Sequence, residues 1–547
     1  MKKKLKIGIS LNDKINLKDG QIKILSDLIN SEYLDLRILI TNRNNNPKKK
    51  NFFYKLITFF EKKYLYISRK KELKNIEKKI SKIDKFNLQN ENITHFLENR
   101  ENLKKFKKID LLFFFEKNNL VETKLVNFPK YGSWILDFGV HNHLYAGFWE
   151  CYFNRDVTKI EIQKVIFKNS KNIFLTVDKG YYSTKINSWF LNKDFILEKS
   201  AILIKKNLKL LFYKKIKSNL KKNTDILRQN PNFLSLIFYI LKKYPKAIFR
   251  KIFLKIFYFD KKKDLYEPNH NPWNLHLDNM KKLKDINISK SLRIKPDKGE
   301  AWADPFLISF KNFDYIFFEN FEFKNQKGKI SCIKLKNGKI LEKFDILKKK
   351  YHLSYPFIWR EKKKFFMIPE TSNDKCVQIW RSINFPKKWS LYKKIFIGES
   401  CVDTTILNIN KNERWIFTNK SDDKYMDHNS ELYLFKTDTM FNKIIPHELN
   451  PVIIDSRFAR NAGNIFREDK NKLIRPSQLN IFDFYGRGLN LRLIKELNLR
   501  KYNETQFSTI LPDFKININA IHHMSQDKKK YTIDVRYKKF LSFILPL

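Results

Sequence analysis

Cysteine is scarce in this chain, and its four copies, Cys151, Cys332, Cys376 and Cys401, are widely spaced with no CxxC pair. That excludes a thiolate zinc module and a disulfide framework, and it fits a reducing compartment. Neither HxxH nor HExxH occurs among the ten histidines, so no zinc site is expected. Glycine is limited to 13 residues, and the amino-terminal part has no Gly-rich phosphate loop. Long apolar runs are also missing. The closest, Leu234 to Phe259, is interrupted repeatedly by Lys and Arg, so a membrane-spanning helix is not expected. The stretch reads as a basic amphipathic helix pair, expected to pack between two domains, with the surface of an anionic membrane as the alternative. The opening MKKKLKIGISLNDK turns polar within a few positions, so no signal peptide is expected and a cytoplasmic location follows.

Acidic residues are the other deficit: 57 Asp and Glu face 110 Lys and Arg, a net charge of +53. Such an excess ordinarily points to nucleic acid or anionic lipid. Here Lys, Asn, Ile and Phe are enriched together along the whole chain, the imprint of AT-rich coding, and no RNA-binding aromatic motif or helix-turn-helix accompanies the charge. A nucleic-acid partner is therefore not expected. What is present is core material. Hydrophobic residues make up 42% and aromatics 15%, with 49 Phe and 24 Tyr, so a 547-residue chain can fill two or three cores.

The amino-terminal part, 1–205, reads as an open α/β sheet. LKIGIS (5–10), an amphipathic stretch at 21–31 and DLRILIT (35–41) make a β-α-β opening. A Lys- and Asn-rich helical insertion spans about 44–108. Strands follow at IDLLFFF (109–115) and YGSWILDFG (131–139), then a helix-like HLYAGFWECYFN (143–154). Asp137, His141 and His143 lie near a strand end, where parallel sheets bind ligands, and Asp137 is a weak cofactor-binding candidate. Residues 206–290 read as a helical basic connector.

Beyond residue 291 the pattern changes to short alternating strands. WADPFLI (302), HLSYPFI (352), VDTTILN (402), ARNAGNIF (459) and AIHHMSQD (520) begin 50, 50, 57 and 61 residues apart. DYIFFEN (314–320), KFFMIPE (364–370), RWIFTNK (414–420) and KLIRPSQ (472–478) follow the first four as second strands. A period near 50 with four strands per repeat predicts an all-β five-bladed propeller over 291–547. A strand near Ser289 to Lys295 is expected to complete the fifth blade and close the ring.

In a blade, the start of strand one and the end of strand two share a face. That rule gathers Asp304 and Asp403 with Glu319, Glu370 and Arg475, and places His352, Tyr355, Arg460, Asn461, His522 and His523 nearby. Carboxylates crowded in a funnel split into acid and base. Asp304, Asp403 and Glu370 are the catalytic candidates. Glu319, His352, Tyr355, Arg460, Arg475 and His522 are the substrate-binding candidates, Arg475 and His352 orienting the substrate. His522 and His523 are adjacent on a predicted strand, so one reaches the axis and the other is expected to be a satisfied structural residue.

WADPFL, the HLSYPF to MIPETS pair, VDTTIL, WIFTN, ARNAG and IRPSQ occur in an order and spacing that resembles the propeller preceding the transferase domain in the glucosamine inositolphosphorylceramide transferase family. That propeller is similar to five-bladed glycosidases acting on arabinans, xylans and fructans. The resemblance implies that Asp304 and Asp403 stand at two positions of their acidic triad. The third, a general-acid Glu of a later blade, has no counterpart, since Glu370 is on blade two and Glu431 lies inside a strand. KIGIS, IDLLFFF and GSWILDFG followed by AGFWECYFNRDVTKIEIQ resemble the amino-terminal domain of formyltransferases. There Asp137 takes the place of that family's Asn and Gly139 that of its His, so use of formyl-tetrahydrofolate is not expected and the domain reads as degenerate. The resemblances imply a glycan-processing protein acting on or binding a carbohydrate or nucleotide-sugar in surface-polysaccharide or glycolipid synthesis. A non-catalytic glycan-binding scaffold is the second reading, and a basic protein on nucleic acid or anionic membrane the third.

Overall fold

The computed structural model describes residues 3–12, 19–41, 52–65, 108–115, 124–216, 220–223, 227–258, 272–280 and 286–537, apart from 411–412, 470–471 and 514–516, with isolated positions between 78 and 104, at 225 and at 282–283. The chain divides into two compact units, Met1–Lys246 with Asp423–Tyr425, and Ala247–Asp422 with Met426–Leu547.

The first unit is built on one eight-stranded sheet. Its strands are β1 (Leu5–Asn12), β2 (Leu34–Thr41), β3 (Lys85–Asn87), β4 (Leu111–Phe114), β5 (Ser133–Asp137), β6 (Val157–Lys168), β7 (Lys171–Ser183) and β8 (Lys221–Lys222). Their order is β3-β2-β1-β4-β5-β6-β7-β8. β1 to β5 are parallel, and β6, β7 and β8 each pair antiparallel to the strand before. LLFF and SWILD are buried at every position, the continuous apolar run that a parallel strand covered on both faces requires. The helix Asp19–Ile29 packs on the helix Trp189–Phe212, and the contact demands glycine at 20, where a Cβ would stand 2.6 Å from that of Leu197.

One expectation changes here. Lys85–Asn87, inside the predicted helical insertion, is a strand paired with β2, while most of 66–107 lies outside the described residues. The insertion does contain the helix Phe52–Leu65, whose Tyr54, Ile57 and Glu61 face inward at helical spacing. Glu61 accepts hydrogen bonds from the Ser188 hydroxyl and Phe190 N–H, both at 2.7 Å, and from the Tyr239 and Tyr244 hydroxyls at 3.0 and 3.1 Å. Four donors satisfy an acid that burial would otherwise make costly.

The second unit is a five-bladed propeller. Blade one is Glu300–Phe310, Phe313–Glu322, Lys327–Lys336 and Lys339–Leu347; blade two is Ser354–Glu361, Lys364–Glu370, Val377–Asn384 and Lys388–Ile395. Blade three is Cys401–Asn408, Arg414–Lys420, Glu431–Thr437 and Ile444–Pro446, with Ile453–Ile454 also on its third strand. Blade four is Phe466–Asp469, Lys472–Ile481, Phe484–Leu497 and Tyr502–Ile510. Blade five draws on both ends of the unit: Ile518–Ala520 and Met524–Asp527 line the inside, Lys530–Tyr537 follows, and Trp273–Asn279 and Leu292–Ile294 form the outer part. The closing strand was expected at Ser289 to Lys295, and Leu292–Ile294 is there. Trp273–Asn279 was not foreseen. It lies in 206–290, the stretch read as a helical connector, yet Asn274, Leu275, His276 and Leu277 are buried.

Apolar residues of adjacent blades interdigitate, as where Phe385 stacks at 3.8 Å on Phe365 among Phe317, Tyr315 and Phe310. Each fully buried large side chain contributes about 1.5–3 kcal/mol. These wedges fix the positions of the inner strands, and the inner strands carry the site.

Candidate functional site at the propeller mouth

The first three inner strands share one irregularity. Pairing slips between Ala303 and Phe306, between Ser354 and Phe357, and between Val402 and Thr405. In each slip one non-glycine residue is left-handed: Asp304 at φ 51°, Tyr355 at φ 44° and Asp403 at φ 48°. Asp-Pro and Tyr-Pro suit such a bulge, because proline has no N–H to give the ladder. Strain of this kind costs about 1–3 kcal/mol per residue and persists where surrounding bonds enforce it. Those bonds define the site.

Asp304 is buried. Its Oδ2 accepts the Tyr355 N–H at 3.1 Å, its Oδ1 lies 3.2 Å from His522 Nε2, and its own N–H donates to Asp534 at 3.0 Å. Asp534, which sequence reasoning missed, also stands 2.8 Å from His522 Nδ1 and accepts the N–H groups of His522 and His523. His522 is thus an imidazolium clamped between two carboxylates. Burial opposes its charge, but Asp534 and Asp304 outweigh that and raise its pKa to about 10. For Asp304 burial acts upward, and the charge and hydrogen bond of His522 overcome it to hold the pKa at about 2. Asp304, His522 and Asp534 place ligand atoms within 4.8 Å of one another, the spacing of a metal site. An imidazolium has no lone pair to offer, and its charge already offsets one of the two carboxylates.

Asp403 is equally buried. Arg460 Nε donates to its Oδ2 at 2.6 Å, and the Asn461 amide holds its backbone carbonyl at 2.8 Å. Burial raises the Asp403 pKa to about 7, against the pull of Arg460 and with a push from Glu370 and Asp304. The remaining charge of Arg460 reaches Asn429 at 3.0 Å and the Tyr485 ring at 4.9 Å.

Nearer to solvent are Glu319, Glu370 and His352. Glu319 and Glu370 stand opposite Ala303 and Ser354, the residues just before the bulges. Desolvation, then the negative charge of Asp304, drives the Glu319 pKa well above the usual carboxylate value, which favours its protonated form. His352 accepts the Gly328 N–H on Nδ1 at 2.9 Å and directs Nε2 to Glu319 at 3.3 Å. Burial lowers its pKa, so it is the neutral Nε2–H tautomer. Glu370 accepts the hydroxyls of Ser354 and Ser372 at 3.1 and 2.8 Å. Aromatic rings complete the mouth: Trp273 lies 4.1 Å and Tyr485 5.2 Å from His522, centroid to centroid.

Asp304, Asp403, Glu319, Glu370, His352, Arg460 and His522 therefore converge, and three other assignments need correction. Tyr355 is fully buried, its hydroxyl shared among Thr405 Oγ1 at 2.8 Å, the Gly463 carbonyl at 3.1 Å and the Gly463 N–H at 2.9 Å. It ties inner strands together and has no group left for a substrate. Arg475 is also fully buried, forked onto Glu504 with two bonds of 2.8 Å and donating to the Phe458 carbonyl. The second strand of blade four runs on to Ile481, so Arg475 is mid-strand, and Asn480 rather than Arg475 lies near its end. His523 is not a satisfied residue. Both ring nitrogens are buried without a hydrogen bond, its ring packs on Phe306 and Tyr355, and burial lowers its pKa to about 4. In the first unit, Asp137 is spent on Gln163 at 2.7 Å and the Gly139 N–H at 3.2 Å.

A signal for Asp534 existed in YTIDVRY, on the fifth blade's second strand. Trp273 gave none, since its place at the mouth follows only from ring closure.

Comparison with known proteins agrees on the region concerned. Glucosamine inositolphosphorylceramide transferase 1 of rice (Oryza sativa subsp. japonica) is 27% identical over 226 residues, 41% of this chain and 30% of the relative. Its namesake in Arabidopsis thaliana is 28% identical over 208 residues, 37% and 27% of the two chains. The chain thus spans less than a third of the length of these curated relatives. Among solved structures, an α-L-arabinofuranosidase of Podospora anserina is 11% identical with a TM-score of 0.31, covering 48% of this chain and 86% of its own. An endo-arabinase of Bacteroides thetaiotaomicron is 14% identical with a TM-score of 0.30, covering 44% and 95%. Residues 294–539 carry the domain described as glucosamine inositolphosphorylceramide transferase 1, N-terminal.

Proposed function

We propose that the propeller mouth binds a carbohydrate, and that the protein serves the synthesis of a glycan or glycolipid by recognising its sugar. The carrying observation is the layering of the site. Asp304, Asp403, His522 and Asp534 are consumed in bonds that fix the inner strands, while Glu319, Glu370, His352 and Arg460 remain at the accessible edge beside Trp273 and Tyr485. Carboxyls, an imidazole and a guanidinium supply hydrogen bonds to sugar hydroxyls, and aromatic rings supply apolar surface. The relatives' names, which concern a glycolipid transferase, point the same way.

One observation favours a second, catalytic reading. Glycoside chemistry requires a protonated carboxyl beside the scissile oxygen, and burial and the charge of Asp304 favour that form of Glu319 at the edge of the mouth. In this reading Glu319 donates the proton and Glu370 is the second carboxyl. Asp304 is not an attacking group, because both of its oxygens are engaged.

The first unit is read as a ligand domain of formyltransferase type that has lost its chemistry, retaining a nucleotide-sugar or glycan as ligand, in a cytoplasmic protein. Support comes from its open sheet with a parallel half, β1 to β5, and from the four buried cysteines of the chain, none of them in a disulfide. Turnover of formyl-tetrahydrofolate would overturn that part. For the mouth, a screen of neutral and acidic oligosaccharides and nucleotide-sugars on wild type and Glu319→Gln is the test. Binding lost in the variant supports the site, release of a reducing sugar supports catalysis, and the absence of any ligand refutes both.

A further inference from the structure

The helices Phe52–Leu65 and Phe233–Tyr258 break the rule that an amphipathic helix is apolar on its buried side only. Their inner faces are accounted for: Tyr54, Ile57, Leu236 and Tyr239 sit in one core with Phe148 and Trp189. The outer faces are apolar as well. Phe52, Phe59 and Phe60 on the first helix, and Phe233, Leu234, Phe238 and Leu241 on the second, are between 45% and 68% exposed. The spacings 52, 59, 60 and 234, 238, 241 each keep to one helical face. A ring contact of 5.0 Å between Phe53 and Phe233 joins the helices near their starts.

Exposed apolar patches of this size mark interaction surfaces, and charge selects the occupant. The two helices total 40 residues with nine Lys or Arg and one acid. That acid, Glu61, is buried beneath Ser188, Tyr239 and Tyr244. Lys55, Lys62 and Lys242 are exposed beside the phenylalanines. Large apolar side chains bordered by lysines, without an exposed acid, complement the boundary between the anionic headgroups and the acyl chains of a bilayer. Among the described residues no helix is long and apolar enough to cross a membrane, so this contact is with one leaflet.

We propose that this face of the first unit docks on an anionic lipid surface, with Phe52, Phe59, Phe60, Leu234, Phe238 and Leu241 entering the interface. The inference is independent of the propeller reading and holds whatever the mouth binds.

The test is co-sedimentation of the full chain with vesicles of phosphatidylcholine alone, and of phosphatidylcholine with about a third phosphatidylglycerol, at low and high salt. The variants are Phe59→Asp with Phe238→Asp, and Lys55→Glu with Lys242→Glu; all four side chains are exposed, and unchanged thermal unfolding controls for folding. Wild type is expected to sediment with the anionic vesicles and much less with the neutral ones. The aspartate pair is expected to weaken partitioning about tenfold or more at either salt, and the lysine pair chiefly at low salt. Wild type remaining in the supernatant, or the aspartate pair sedimenting like wild type, overturns the proposal. So does a concentration-dependent dimer that the aspartate pair disperses while wild type ignores vesicles, which would make the face a contact between two copies of the chain.

Discussion

Replacing His522 with glutamine is the sharpest probe of how the propeller is held together. The substitution keeps a polar side chain of similar reach but removes the cation between Asp304 and Asp534, which lie 3.2 and 2.8 Å from its two nitrogens. Moving the His522 pKa from 6.5 to about 10 corresponds to several kcal/mol at about 1.4 kcal/mol per pH unit. Breaking a buried ionic group by removing one member costs about 3–5 kcal/mol. The direction with pH follows from the raised pKa: the stabilisation is complete below pH 6.5 and is lost as pH rises toward 10. The lowered pKa of Asp304 describes the same interaction from its other side, lost as pH falls from 3.8 toward 2, and is not added to it. Unfolding of the full chain by urea, followed by tryptophan fluorescence at pH 6, 8 and 10, should therefore show wild type losing stability as pH rises. His522→Gln should start several kcal/mol lower at pH 6 and change much less with pH. A variant within about 1 kcal/mol of wild type at pH 6, or one with the wild-type pH slope, would refute the ionic triad.

Arg475→Met should destabilise the protein by about 1.5–3 kcal/mol, because Glu504 loses one charged partner but keeps Arg492 at 3.0 Å and the Tyr502 hydroxyl, while the folded variant binds ligand as wild type does; denaturant unfolding with a binding assay separates the two. Tyr355→Phe removes a hydroxyl that serves three partners and should cost about 1–3 kcal/mol of stability with no change in affinity, whereas weakened binding at unchanged stability would return Tyr355 to the site. The raised pKa of Asp403 means that its contribution to stability falls as pH rises from 3.8 to about 7. Asp403→Asn should flatten that part of the wild-type profile in a thermal-unfolding series, and an unaltered profile would show that Asp403 is not the titrating group.

The repeat of about 50 residues made the propeller legible, because each blade encodes its own strand pattern and a bulge motif that recurs as Asp-Pro, Tyr-Pro and Asp-Thr. The rule that strand-one starts meet strand-two ends brought Asp304, Asp403, Glu319 and Glu370 together correctly. It failed for Arg475, because the strand was judged too short by three residues and mid-strand was mistaken for the end. It failed differently for Tyr355. The same backbone position that aims Asp304 and Asp403 at charged partners points a tyrosine at Thr405 and Gly463, and nothing local distinguishes the cases. Trp273 required the ring to be closed first, since its neighbour His522 is about 250 residues away in sequence, whereas Asp534 lies 12 residues from His522 on the strand YTIDVRY and was overlooked. β3 and the hairpin of β6 and β7 were missed for a related reason: their pairing partners, not their own patterns, make them strands.

The central claim is that the edge of the propeller mouth, not its buried aspartates, meets a sugar. Isothermal titration of the oligosaccharides and nucleotide-sugars identified in the screen into wild type, Glu319→Gln and Glu370→Gln tests it most directly. The account predicts saturable binding by wild type and affinity at least tenfold weaker in each variant, about 1.4 kcal/mol, with thermal unfolding unchanged. Wild-type affinity in both variants, or no carbohydrate bound by wild type, would contradict it.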